Sequence, residues 1–200
     1  MSEFDEKART WDDDPAKVAR AERVAEAIRR HAGDLSDRHA LEVGCGTGLL
    51  GFALRPHVGR MTLADTSAGM LEVLREKIAA SGLSGMEALQ HDFTQGPLPP
   101  ARYDLLCNLM TLHHIPDTAD ALRRFHALLA PGGLLAIADL DAEDGSFHGE
   151  GVDVHHGFDR QALGTDLAQA GFRDIRFDTP FIIERDGGRF PVFLALAERG

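Results

Sequence analysis

Residues 41–48 read LEVGCGTG, an apolar segment that runs straight into three alternate glycines. Such a turn exposes main-chain N–H groups, and Gly44, Gly46 and Gly48 lack the Cβ that would keep a ligand from the backbone. In an open α/β sheet the carboxyl ends of the strands face the ligand crevice, so this is where a nucleotide-like molecule binds. The next apolar segment, MTLAD, ends in Asp65. A carboxylate about twenty residues beyond the first glycines is placed to accept hydrogen bonds from two ribose hydroxyls. The bland alternative is a glycine turn that holds no ligand. Gly46, Gly48 and Gly51 also satisfy the dinucleotide fingerprint in a shifted register. The predicted strand ends at Val43, however, which makes Gly44 the first turn residue and puts Leu49 where the third fingerprint glycine belongs.

A second group of residues suits proton transfer. His113 and His114 lie in TLHHIPD, just after the apolar segment Tyr103–Leu109, and belong to a loop over the same crevice. Either is a candidate general base, the alternative being a pair that caps the next helix or shapes the pocket. His148, His155 and His156 fall in a polar, glycine-bearing insert from Asp141 to Gly157, with Asp139, Asp141 and Asp153 nearby. The insert reads as a solvated loop or as a contact to the substrate. No HxH or HxxxH spacing fixes two ligands on one element, so no metal is expected.

These groups need a scaffold, and the hydrophobic pattern supplies one. Apolar segments at 40–43, 61–64, 86–90, 103–109, 134–139, 174–178 and 190–197 read as strands. Helices are predicted between them near 48–56, 67–81, 118–130 and 159–170. Short apolar strands alternating with helices indicate a parallel sheet covered on both faces. The last two strands lack a helix between them, carry Gly187 and Gly188 as turn residues, and are expected to be antiparallel. Ahead of all this, Asp14 can cap a helix that Pro15 starts and Gly33 stops, with Val18, Ala21, Val24, Ala25 and Ile28 on its apolar side.

LEVGCGTG, the acid in LADTSAGML, HDF at 91–93, YDLLCNLMTLHHI and LLAPGGLLAIADL resemble, in order, the motifs of class I S-adenosylmethionine-dependent methyltransferases, of the branch acting on small molecules. The resemblance runs from about residue 38 onward. It implies an α/β Rossmann-like three-layer sandwich with a seven-stranded, mostly parallel sheet of order 3-2-1-4-5-7-6 and strand 7 antiparallel. It also implies S-adenosyl-L-methionine as cofactor, with Gly44 and Gly46 at its methionine end, Gly48 in the same turn and Asp65 on the ribose. Asp92 would take the adenine amino group with Phe93 beside the ring; Thr66 and Met70 would pack on adenosine, although Met70 reads equally as helix core. Asn108 and Leu109 would border the sulfur. The N-terminal helix reads either as a structural cover that buries its apolar side on the domain or, as the resemblance implies, as part of a lid. Residues 1–33 are expected to form the lid segment and its helix, bringing Trp11 and Arg20 over the site, and residues 34–200 the cofactor-binding domain.

Composition narrows the partners. The chain has 200 residues, 44% of them hydrophobic and 26% charged, as in an ordinary globular domain. A formal charge of -11 repels phosphate backbones and argues against nucleic acid. No apolar run approaches membrane-spanning length and the first residues are polar, so a cytoplasmic location is expected. Two cysteines, Cys45 and Cys107, exclude a disulfide framework. The expected activity is methyl transfer to a small molecule, the acceptor atom being open. The alternatives are an NAD(P)-dependent oxidoreductase, which would lack a tyrosine–lysine pair, and a protein that binds the cofactor without turnover.

Overall fold

The computed structural model describes residues 3–149 and 152–200. Seven strands form one sheet in the order β3-β2-β1-β4-β5-β7-β6. They are β1 Leu35–Val43, β2 Val58–Asp65, β3 Met86–Gln90, β4 Tyr103–Leu109, β5 Leu129–Leu140, β6 Phe172–Arg185 and β7 Gly188–Arg199. All pairings are parallel except β5 with β7 and β7 with β6. The central strands are apolar on both faces because both are covered. On one face α2 Pro15–Ala32, α3 Leu49–Leu54 and α4 Ala68–Ser81 pack Ile28, Leu50, Leu54, Leu71 and Leu74 against Leu63, Leu105 and Ala136. On the other, α5 Thr118–Leu128 and α6 Arg160–Gln169 pack Leu122, Phe125, Leu163 and Leu167 against Leu41, Leu106 and Ile137. Buried side chains of α2 belong to the same core as the strands, so this helix is one of the covering layers of the sheet.

Helix boundaries follow the local chemistry. The Asp14 carboxylate accepts from the Ala16 N–H while Pro15 takes the first helical position, and Gly33 ends α2 with φ 68°. Ser67, Asp117 and Asp159 cap α4, α5 and α6 in the same way. The final hairpin is longer than the sequence pattern suggests. Thr179–Arg185 continues β6 instead of forming a loop, because the reversal needs only Asp186 and Gly187. Both have positive φ, 50° and 79°, as a type I′ turn requires. β1 and β5 also start five residues earlier than the apolar segments: in β1 the added residues Ser36–His39 are polar, and in β5 they include Pro131, Gly132 and Gly133, which read as a turn.

Before α2, a short helix α1 Glu3–Lys7 and a 3₁₀ turn Ala8–Asp13 form a strap. It lies on α4 and the glycine turn, held by charged side chains described below.

Candidate active site

The carboxyl ends of β1, β2, β4 and β5 converge, and the turns leaving them carry the expected residues. β1 ends at Val43, and Gly44, Gly46 and Gly48 follow with φ of 70°, 53° and 83°, conformations that strain any residue with a side chain. A Cβ on Gly44 would sit 2.3 Å from Thr111 Cγ2, so Gly44 is glycine because the loop after β4 packs on it; Thr111 Oγ1 also donates to the Gly44 carbonyl at 3.2 Å. A Cβ on Gly46 would meet only Met70 Sδ, at 3.8 Å. This is the open part of the turn.

Asp65 ends β2 and organises that opening. One oxygen accepts from the Gly46 N–H at 2.7 Å and the other from the Ser67 N–H at 2.8 Å. A carboxylate has about four lone-pair sites, so capacity remains for two hydroxyls. Met70 is buried on α4, and Thr66 beside it is exposed. Asp92, beyond β3, accepts from the Thr94 N–H and Oγ1 and from Gln95 Nε2. Phe93 packs in the core layer with Val43, Ala64 and Leu106, and its carbonyl accepts from Arg124 Nε at 2.6 Å.

At the end of β4, Leu109 is partly buried, whereas Asn108 is wholly buried and neither its amide nitrogen nor its amide oxygen has a partner. A buried amide with both polar groups unspent costs stability unless a ligand satisfies it. That observation, together with the open side of Gly46 and the spare capacity of Asp65, shows that the residues present fit a polar ligand of adenosyl type. After Leu109 the chain turns sharply through Met110, whose φ of 55° is left-handed for a non-glycine residue and whose N–H donates to the Ala138 carbonyl. Strained backbone of this kind persists where surrounding contacts impose it.

This turn delivers the histidines. His113 is buried at 1% exposure, with Nδ1 2.7 Å from Asp139 Oδ1 and its own N–H donating to Asp139 Oδ2 at 3.1 Å. Its Nε2 is buried and unpartnered. His114 is exposed, 4.1 Å from the His113 ring centre and 5.3 Å from Phe4 of the strap. His148, from the insert, stacks 4.8 Å from His113; burial pulls its pKa down, so it stays neutral in the physiological range. His155 does something else: its N–H donates to the His113 carbonyl and its Nε2 lies 3.1 Å from the Ile115 carbonyl, pinning insert to loop. His156 covers Gly145 inside the insert. Among the described residues no group of three or more His, Cys, Asp or Glu is arranged to hold a metal.

The strap closes the other side. Asp5 Oδ1 accepts from Ser67 Oγ at 2.6 Å and from the Gly69 N–H at 3.0 Å. Asp12 accepts from Thr47 Oγ1 in the glycine turn and pairs with Lys77, and Arg9 bridges Glu72 and Glu76. Trp11 stacks edge-on with Phe4 at 6.0 Å and lies under the Lys17 ammonium. Arg20 has a buried, unpartnered Nε; desolvation lowers its pKa, opposed by Asp14 and Asp139.

Two further acids matter here: Asp139, which the sequence marked only as an acid near the insert, and Glu42, which the sequence patterns did not single out. Asp139 orients His113. Glu42, at the foot of the glycine turn, is fully buried with Oε2 unpartnered, and burial pushes its carboxyl up to about 8 against a hydrogen bond from the Gly51 backbone. An acid at an inward strand position is itself the signal for both.

Residues 40–133 match the model of the methyltransferase domain family. Over these residues the chain resembles the methyltransferase domain family, and its sheet order is the one the resemblance to class I S-adenosylmethionine-dependent methyltransferases implied. An uncharacterised methyltransferase of Mycobacterium tuberculosis is 35% identical over 103 residues, which are 52% of this chain and 51% of that protein. The ubiquinone biosynthesis O-methyltransferase of Serratia proteamaculans is 29% identical over 114 residues, 57% of this chain and 47% of that protein. The chain thus spans about half the length of these curated relatives. In fold it resembles a SAM-dependent methyltransferase of Aquifex aeolicus, with TM-score 0.74, 21% identity and 98% of each chain covered. It also resembles a chain from the complex between the Haloferax volcanii Trm112 methyltransferase activator and a methyltransferase, at TM-score 0.79, 18% identity and coverage of 99% and 98%. No helix among the described residues is long and apolar enough to cross a membrane.

Proposed function

We propose that this methyltransferase moves the methyl group of S-adenosylmethionine to a small-molecule acceptor that enters beneath the strap, beside His113. The observation that carries this reading is the set of unspent polar groups at and just after the end of β4: both amide atoms of Asn108 and Nε2 of His113, all buried, in the segment whose Thr111 packs on Gly44. When bound, the cofactor supplies an electrophilic methyl carbon for in-line displacement. The protein's task is then alignment, which in well-oriented reactions contributes about 7–11 kcal/mol. Asp65 would hold the ribose, Gly46 would admit the amino-acid end, and Asp92 would receive the adenine amino group. His113 and His114 stand where the acceptor arrives. The strap, residues 3–13, acts as a lid: Trp11 and Phe4 exclude water from the crevice, which strengthens electrostatics within it.

The strap held on the glycine turn and the insert pinned to the histidine loop favour a compact acceptor. The charge of -11 disfavours nucleic acid. The name of the Serratia relative, an O-methyltransferase of ubiquinone biosynthesis, points the same way. Thermal unfolding with ligands tests the cofactor. At 100 times its dissociation constant, S-adenosylhomocysteine should stabilise the protein by about 2.7 kcal/mol, while NADH should have no effect. A shift with NADH and none with S-adenosylhomocysteine would reject the proposal.

A further inference from the structure

We infer that the methyl acceptor is a small carboxylic acid and that Arg20 of α2 receives its carboxylate. The inference rests on the methyltransferase reading and names the substrate class of that same site. Arg20 lies near Asp139, at the carboxyl end of β5, and near Asp14 at the start of its own helix. Its Nε is buried without a hydrogen-bond partner, and among the described residues the guanidinium takes part in no ion pair. Each neighbouring acid holds another group instead. Asp14 Oδ1 accepts from the Ala16 N–H at 2.9 Å as the cap of α2. Asp139, wholly buried, contacts the Leu140 N–H at 2.8 Å and the ring and N–H of His113 at 2.7 and 3.1 Å.

Arginine does not give up its proton in a protein, so a buried guanidinium N–H without an acceptor destabilises the unliganded state. The neighbourhood makes this worse. Lys17, one turn earlier on α2, adds like charge, and its own ammonium is turned to the face of Trp11, 3.7 Å from the ring centre. An entering anion removes the penalty. A carboxylate does so with the best geometry, because its two oxygens match the Nε–H and Nη–H of the fork in a bidentate pair. A neutral acceptor leaves the charge unanswered. A phosphate dianion brings a second negative charge into a protein that already carries -11.

The cofactor also carries a carboxylate, at its methionine end, and position assigns Arg20 to the acceptor instead. In the sheet order β5 lies beyond β4, two strands from the glycine turn that follows β1. The acids that act on Arg20 are Asp14 and Asp139, whereas the acid bonded to the glycine turn is Asp65. His113, held by Asp139, shares the Arg20 side. A carboxylate fixed on α2 anchors one end of the acceptor and leaves its nucleophilic atom directed toward the end of β4. That pairing sets orientation as well as affinity.

Two measurements on the full chain test this. First, methyl-¹³C S-adenosylmethionine is incubated with the protein and a small-molecule cell extract, and the labelled product is identified by NMR. A product with a free carboxylate is expected. One that has none, whether neutral, a methyl ester or a phosphate ester, overturns the inference. Second, Arg20→Gln should raise the KM for that acid about 10²-fold with kcat little changed, and Arg20→Lys, which keeps the charge but loses the fork, about 10-fold. The primary amide of the same acid should be a weak substrate for the wild type and no weaker for Arg20→Gln. A wild type that uses acid and amide alike overturns the inference. Calorimetric affinity for S-adenosylhomocysteine should be unchanged in both variants; if Arg20→Gln weakens it and leaves the acceptor KM alone, Arg20 holds the cofactor and the inference falls. Lack of that affinity in the wild type would instead strike the methyltransferase reading, so the two failures are told apart.

Discussion

At the scale of single residues, the site is built from carboxylates with opposite tasks. Asp65 and Asp139 accept hydrogen bonds from backbone N–H groups, whereas Glu42 is pushed toward its neutral form by burial. Asp65→Ala should weaken S-adenosylhomocysteine binding at least 10-fold, measured by calorimetry, and leave the melting temperature of the free protein nearly unchanged. The stability contribution of Glu42 has a definite sign. Its folded pKa of about 8 lies above its ordinary value of 4.5, so this stability is fully present below about pH 4.5 and is lost as pH rises through about 8. At 1.36 kcal/mol per unit, the loss across that window is roughly 5 kcal/mol. Glu42→Gln should abolish it, seen as a melting advantage over wild type that grows from pH 5 to pH 8.

At the scale of elements, contacts between turns decide what each may be. Gly51 on α3 sits so close to β2 that a Cβ would come 2.4 Å from Leu63 Cδ2. Gly51→Ala should therefore destabilise the protein by about 1–3 kcal/mol in urea unfolding. The strap is attached by side chains rather than by a shared core. Deleting residues 1–13, which keeps the Asp14 cap of α2, should weaken S-adenosylhomocysteine binding and leave the circular dichroism unchanged. Much of this organisation was legible in the sequence. The cap and stop of α2, the glycine turn after Val43, and the antiparallel last pair all follow from local chemistry that acts wherever the chain finds itself. The length of β6 was not, because its outer residues alternate between half-buried and exposed positions and give no continuous apolar run. The candidate site was readable as far as strand ends are punctuated by glycine or acid. Which histidine would meet Asp139 was not, since His148 and His155 differ only in where a long insert happens to fold back, and the bridge of Asp141 to Phe158 that closes the insert carries no sequence signature.

At the scale of the whole molecule, the sheet order places the glycine turn of β1 between the Asp65 turn of β2 and the loop after β4, so on the proposed reading cofactor and acceptor would share one rim. Arg160, bidentate on Asp141 and bonded to Thr179, ties the start of the insert to α6 and β6. Arg160→Ala should loosen the insert and raise the acceptor KM several-fold while leaving S-adenosylhomocysteine affinity intact.

The strap is fastened by Asp5, Arg9 and Asp12 to partners on α4 and the glycine turn. Ion pairs as exposed as those of Arg9 fade as the Debye length contracts from about 10 Å at 0.1 M to about 3 Å at 1 M salt. Ionic strength thus works as a latch control: sodium chloride should shorten the residence time of S-adenosylhomocysteine, and the protein without its first thirteen residues should ignore the salt altogether.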